Sequence, residues 1–574
     1  MIPKIKRLHK LFLCCFLPLA GFAQNSVNDP YPKDYFQWPL TVTPGIAGNF
    51  GELRPNHYHM GLDCRTDQKQ NQVVMAAAEG YIAKVKIEPS GFGRCIYINH
   101  PNGMTTVYAH LNDFEPGLEK YIRSEEYRLK SWKVFLDIPP TLFPIKKGQF
   151  IAYSGNTGGS HGPHLHFEIR DTKTDKVMNP LLFGFPIIDS FPPVIARLAV
   201  YDRRISTYEQ SPKLYTVKKI NGVYSLPSAL MVNSNKVSFA ISAIDHHSAS
   251  KNPDGIFEAT MSDNETPVIK FQLNNISYDE TRYLNAHIDY KLRSNGGPLV
   301  QHLSELPGYP DGIYTKFSGD GVISLDDTST HRIKVEVKDE TGNVSLLEFT
   351  VRRDPAFVNT SAATTSVQQL YEFRPGFVNI FENNNISCTL PENSLYDSIR
   401  FQYSVANTNA MFPVYQLHNA SIPVHGYFPV KIKAAIPAAL QDKVVMEHSG
   451  KGNDFRKAIA ASNEPGWYKA EFRDFGSFRL MIDTIAPSIN PIGFKDHMNC
   501  SKKTSIAFGV FDNSEVIKSF DVFLDGNWLR LTNDKGHAFI YIFDEHCPPG
   551  EHELKLIAVD QVDNVREKVF HFVR

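Results

Sequence analysis

The stretch SGNTGGSHGPHLHFEIRD, Ser154 to Asp171, sets His161, His164 and His166 within six residues behind a run of glycines. Phe167, Glu168 and Ile169 read as a β-strand, and Gly155, Gly158, Gly159 and Gly162 as the loop that feeds it. Alternate side chains of a strand share a face, so His164 and His166 point the same way. Two imidazoles on one face can grip a metal ion, or one can grip it while the other acts on a substrate. With 21 histidines in 574 residues, about one His-x-His pair is expected by chance. The pair alone therefore does not define a site, and the question becomes whether further ligands lie elsewhere in the chain.

They lie upstream. FGELRPNHYHMGLDCRT contains His57, His59 and Asp63. In an extended segment, positions an even number apart share a face, so either histidine can converge with Asp63. Gly61 lies between His59 and Asp63 on that face and leaves room for an ion and a substrate. A third island, Tyr108-Ala109-His110-Leu111, ends an apolar strand. Cys64 has the opposite parity and reads as core.

H-x-G-x-D, then Y-A-H-L, then S-G-N-T-G-G-S-x-G-P-H-L-H-F-E resembles the LytM/lysostaphin-type zinc metallopeptidases, family M23, over roughly residues 45 to 185. The resemblance implies an antiparallel β-sheet peptidase domain with one Zn2+ held by His59, Asp63 and His166. It implies catalytic roles for His110 and His164, and selects His59 over His57. None of the five positions is substituted. Two imidazoles and one carboxylate leave zinc a net positive charge and an open position for water. No H-E-x-x-H occurs, which excludes a helix-borne pair of ligands with a glutamate base. Asn156, Thr157, Ser160 and Tyr108 are second-tier site candidates. Glu168 shares the face of His164 and His166 and is placed to orient a ligand imidazole or to serve as a plain strand residue. His161, His246, His247 and the later histidines read as surface positions.

The elements that must hold these residues are short strands separated by glycine turns, such as VVMAAAEGYIAKV, RCIYINH, TTVYAHL and GQFIAYSG. A helical insertion at about 115–143 interrupts them and is placed to cap the groove. Beyond SFPPVI, Ser190 to Ile195, the chain is strand-like to its end. His331 to Arg353 aligns without gaps to His552 to Arg574, each copy a strand, an Asp/Asn-rich turn and a closing strand. The fold class expected is mostly β: an M23-type domain followed by several Ig-like β-sandwich domains. The divisions are a signal peptide at 1–23, the peptidase domain at 24–189, a sandwich at 190–353, a β-rich domain of unassigned type at 354–483, and a sandwich at 484–574.

Lys4, Lys6, Arg7 and Lys10 precede the apolar stretch Leu11 to Ala23, a secretory signal cut after Ala23. The mature protein is then exported, to the periplasm, the cell surface or the medium, with no transmembrane span. Five cysteines remain, an odd number that leaves at least one thiol outside any internal disulfide; Cys500 and Cys547 are the candidate pair. Lys+Arg is 60 and Asp+Glu is 61, a net charge of -1, which gives no footprint for nucleic acid. The resemblance implies peptidoglycan peptides as substrate, with the D-alanyl–diaminopimelate bond the target in a Gram-negative wall. The alternative is a gated or non-hydrolytic wall-associated scaffold that activates an amidase, with a cell-wall protein as partner.

Overall fold

Alternation of apolar and polar residues makes the site-bearing segments strands, and strand pairing makes them one sheet. The computed structural model describes residues 30–247, 252–309, 312–327, 329–354, 356, 371–406, 411–450, 452–461, 464–533 and 538–574. The expected leader lies outside the described residues. The sheet contains β1 (Ile46–Gly48), β2 (Leu62–Arg65), β3 (Gly80–Ile87), β4 (Arg94–Asn99), β5 (Met104–Ala109), β6 (Val134–Asp137) and β7 (His164–Asp171). Their order is β1-β2-β7-β5-β4-β3-β6, with every neighbour antiparallel. β7 is central. Leu165, Phe167 and Ile169 on one face are fully buried in the core with Leu62, Cys64 and Tyr108. His164, His166, Glu168 and Arg170 occupy the other face.

The insertion forms α1 (Pro116–Leu129) and the edge strand β6. Glu115 caps the helix by accepting from the Gly117 and Leu118 amides, Pro116 opens it, and Lys130 closes it in a left-handed conformation. The helix does not cap the groove. Its far face meets the last unit of the chain instead: the Glu126 carboxylate pairs with Arg530, and the Tyr127 ring stacks on His546 at 3.8 Å.

Beyond residue 190 the chain builds facing pairs of antiparallel sheets. Val194–Asp202 pairs with Lys236–Ile244 in one layer, and His331–Lys338 with Val344–Arg353 in the layer facing it. Two five-stranded sheets come next, between Asn379 and Ile482. The last unit pairs Ser488–Ile492 with Ser505–Phe511, and Glu551–Asp560 with Val565–Val573. The two hairpins of the sequence repeat share their turn chemistry. Asp339 accepts from the Thr341 and Asn343 amides and the Asn343 side chain, as Asp560 does from Val562 and Asn564.

One apolar core runs from Phe50, Tyr58 and Met60 through the first sandwich to Leu480, so the junction near residue 190 is packed rather than free. Two expectations are corrected. Cys500 and Cys547 are buried free thiols in the last sandwich. The later histidines are largely interior, and several of them are held there by polar partners. His247 lies between Asp254 and Glu340, and His287 between Tyr314 and Gln301. His161 is exposed, as expected.

Candidate metal centre

Pairing of β7 with β2 sets His166 directly opposite Asp63, and pairing with β5 sets it opposite Ala109, one residue before His110. His59 enters ahead of β2 on a short loop pinned by the His59 amide to the Glu52 carbonyl, 2.9 Å. The result is a cluster of facing ligand atoms. His59 Nε2 is 3.0 Å from Asp63 Oδ1, His166 Nδ1 is 3.1 Å from the same oxygen, and the two nitrogens are 3.0 Å apart. Tetrahedral zinc with ligand bonds of about 2.0–2.1 Å separates its ligand atoms by about 3.3 Å. The three residues therefore fit a metal ion of that kind.

The far side of each ring fixes which nitrogen faces the centre. His59 Nδ1 donates to the Asn49 carbonyl at 2.7 Å, which leaves Nε2 its lone pair. His166 Nε2 donates to Glu168 Oε1 at 2.9 Å, which leaves Nδ1. Glu168 is fully buried and is held in turn by Arg170 at 2.6 Å and by the Tyr278 hydroxyl. His110 Nδ1 donates to the Thr157 carbonyl at 2.9 Å. His164 Nδ1 faces the Gly162 carbonyl at 2.8 Å, and its Nε2 lies 3.3 Å from Asp63 Oδ1. The His110 and His164 rings are 4.8 Å apart. His110 adopts a left-handed φ of 60°, rare for a residue with a side chain. Its amide bond to the Phe92 carbonyl, 2.9 Å, holds that conformation and turns the ring from the strand toward His164.

Charge depends on burial and partnership. Burial alone raises the Asp63 carboxyl, but the surrounding His59, His164 and His166 hold it well below the usual carboxylate range. Burial lowers His166, yet Asp63 and Glu168 push it up to about 9. Burial lowers His110 to about 3, helped by His164 and His166. The Arg54 guanidinium reaches Asp63 Oδ2 and Glu52, so positive charge borders the centre.

A cleft of 570 Å³ opens on His59, His110 and His166, with Arg54, Phe92 and Tyr278 on its walls. The helical insertion contributes nothing to its lining. His57 stands at the mouth, exposed, and bonds Pro55. Gly61 is needed for a reason other than room for substrate: a Cβ there would lie 2.6 Å from the Phe167 carbonyl and 2.9 Å from the His166 ring. Tyr108 is a buried strut whose hydroxyl accepts from the Ala77 amide at 2.8 Å. Thr157 anchors the glycine loop to the Leu111 carbonyl at 2.9 Å, and Ser160 bonds within that loop. Arg54, Asn49, Arg170 and Tyr278 escaped the sequence reading. Arg170 was visible by parity, as the fourth member of the His164 face. Tyr278 had no local signal at all.

Residues 57–125 and 143–180 match the model of peptidase family M23, so the chain carries an M23 metallopeptidase domain. Residues 371–483 match the Zu5-like domain model, within the segment of unassigned type. A Haemophilus influenzae protein named "Uncharacterized metalloprotease" is 28% identical over 175 residues, 29% of this chain and 30% of that one. The DD-carboxypeptidase/endopeptidase Mpg of Neisseria meningitidis is 31% identical over 153 residues, 26% of this chain and 29% of the relative. The chain thus spans about three tenths of the length of these curated relatives. Among solved structures, the catalytic domain of lysostaphin from Staphylococcus simulans is 22% identical, with 25% of this chain and 91% of that one covered, at a TM-score of 0.19. A zinc containing peptidase from Vibrio cholerae is 23% identical, with 26% and 40% covered, at a TM-score of 0.19.

Proposed function

We propose that the protein is an exported zinc metallo-endopeptidase that hydrolyses peptide cross-links of peptidoglycan. The observation that carries this reading is the convergence of His59 Nε2, Asp63 Oδ1 and His166 Nδ1 beside two further imidazoles, at the floor of an open cleft. His59, Asp63 and His166 hold one zinc ion. Bound there, it supplies a Lewis acid that lowers the pKa of water and polarises a peptide carbonyl. His110 and His164 between them take the proton of the attacking water, donate to the developing oxyanion and protonate the leaving amine. Glu168 and Asn49 orient the ligand rings, and Arg170 and Tyr278 hold Glu168.

The name of the Neisseria relative, a DD-carboxypeptidase/endopeptidase, supports a wall peptide as substrate. The basic, apolar leader supports export. The β units after residue 190 serve as reach, wall binding or partner binding, divided as 190–353, 354–483 and 484–574. A second reading, a gated scaffold that activates a wall amidase, draws on one observation: Tyr278, from beyond the peptidase domain, forms a wall of the cleft and bonds Glu168. Purified sacculi incubated with the zinc-loaded mature protein test both. Release of un-cross-linked muropeptides supports the peptidase; an unchanged muropeptide profile with zinc bound overturns it and favours the scaffold.

A further inference from the structure

Away from the cleft, each of the two sandwiches gathers acids at its head. In the first, Asp189 comes from the incoming chain and Asp245 from the loop after the strand Lys236–Ile244. Their ligand atoms and those of His247 lie within 4.8 Å of one another. Asp245 is 0% exposed, and among the described residues no side chain bonds either of its oxygens. Asp189 Oδ2, Asp254 Oδ1 and Glu340 Oε2 also lack partners. His247 is committed on both sides, at 2.9 Å to Asp254 and 2.9 Å to Glu340. Its ring nitrogens are therefore not free to bond Asp245, whose carboxyl is pushed up to about 8 by burial first and then by the charges of Glu340 and Asp189.

The last sandwich repeats the arrangement. Asp483, Asp512 and Asp560 also bring their oxygens within 4.8 Å of one another. Asp483 Oδ2 and Asp512 Oδ1 are buried without partners. The correspondence is positional. SNKVSFAISAID, Ser234 to Asp245, aligns without gaps to SKKTSIAFGVFD, Ser501 to Asp512, and IDSFPPVI, Ile188 to Ile195, aligns to IDTIAPSI, Ile482 to Ile489. Asp189 and Asp483 each accept the amide two residues on, at 3.0 and 3.2 Å. Asp339 and Asp560 occupy the same place in the repeated hairpin turn. Isolated buried carboxylates are expensive unless a cation faces them. The orphan atoms are all carboxylate oxygens, the donor set of a hard cation rather than of zinc.

We propose that these clusters are a repeated pair of calcium sites, built by Asp189 and Asp245 in the first sandwich and by Asp483 and Asp512 in the second. Each ion ties the incoming chain to the head of a sandwich and so sets the angle between successive units. The sites are independent of the His59 centre. Affinities of about 10⁻⁴ to 10⁻³ M suit an extracellular module of this kind. The test is calcium binding to the zinc-loaded, desalted full chain by isothermal titration, with melting monitored in parallel. The expected result is two Ca2+ per chain and a melting point that rises with calcium. Asp245→Asn and Asp512→Asn should each lose one ion, and the double variant both, with far-UV circular dichroism as the check of folding. A wild type that takes up no calcium at millimolar concentration, with no shift in melting, overturns the proposal without recourse to any variant. So do folded variants that bind as the wild type does.

Discussion

His166 shows how much of a metal centre is built behind the ligand. Its Nδ1 is available because Nε2 is bound to a buried carboxylate, and that carboxylate is fixed by Arg170 and Tyr278. Glu168→Gln keeps the shape but weakens the hydrogen bond that fixes the ring. Zinc affinity should fall about 10- to 100-fold, as read by competition with a chromogenic chelator; an unchanged affinity would make Glu168 a plain strand residue. Gly61 is a second such position. Gly61→Ala drives a methyl group into the Phe167 carbonyl and the His166 ring. It should destabilise the domain by roughly 1–3 kcal/mol in denaturant unfolding and cost zinc as well. An alanine variant as stable as the parent would show that the backbone has slack there.

Among the elements, α1 separates what is local from what is not. The first half of the expected insertion at about 115–143 forms the helix, Pro116–Leu129, and its second half carries the edge strand β6 instead. The partner of the helix was not readable, because the contact spans some four hundred residues: Glu126 is buried against Arg530, and Tyr127 against Trp528 and His546. Arg530→Ala leaves a buried carboxylate without its countercharge and should cost about 3–5 kcal/mol of docking stability. Arg530→Met together with Glu126→Leu should recover much of the loss. Unfolding of the last sandwich, monitored by Trp528 fluorescence, checks both; equal effects of the single and the paired change would contradict the pairing. The same division runs through the site. Parity and short spacing put His57, His59, Asp63, His164 and His166 forward as candidates, while the choice of His59 over His57 and the part given to His110 came only from the resemblance to family M23. Tyr278 comes from another unit and Asn49 acts through its carbonyl, so neither leaves a local pattern. His247 looked like a surface residue because its partners, Asp254 and Glu340, meet it only after folding.

For the whole molecule, the continuous core from Phe50 to Leu480 makes the catalytic region dependent on the β units C-terminal to it. A chain ending at residue 189 would bare Tyr58 and Met60, now 0% and 2% exposed. Such a fragment should be insoluble or melt well below the full chain in calorimetry. A fragment with the parent's melting point would mean that the β units are optional attachments. Tyr278 couples the same units to the metal centre, so changes in the first sandwich should be felt in the cleft.

Two assignments decide the function: His59, Asp63 and His166 bind one zinc ion, and His110 acts beside it on a peptidoglycan peptide. Zinc content together with sacculus digestion, for the wild type, His166→Ala and His110→Ala, tests them at once. The wild type should hold about one zinc per chain and release un-cross-linked muropeptides. His166→Ala should lose both, and His110→Ala should keep zinc without cleavage. A zinc-loaded wild type that leaves sacculi intact, or a His110→Ala protein that cuts as the parent does, would contradict these assignments.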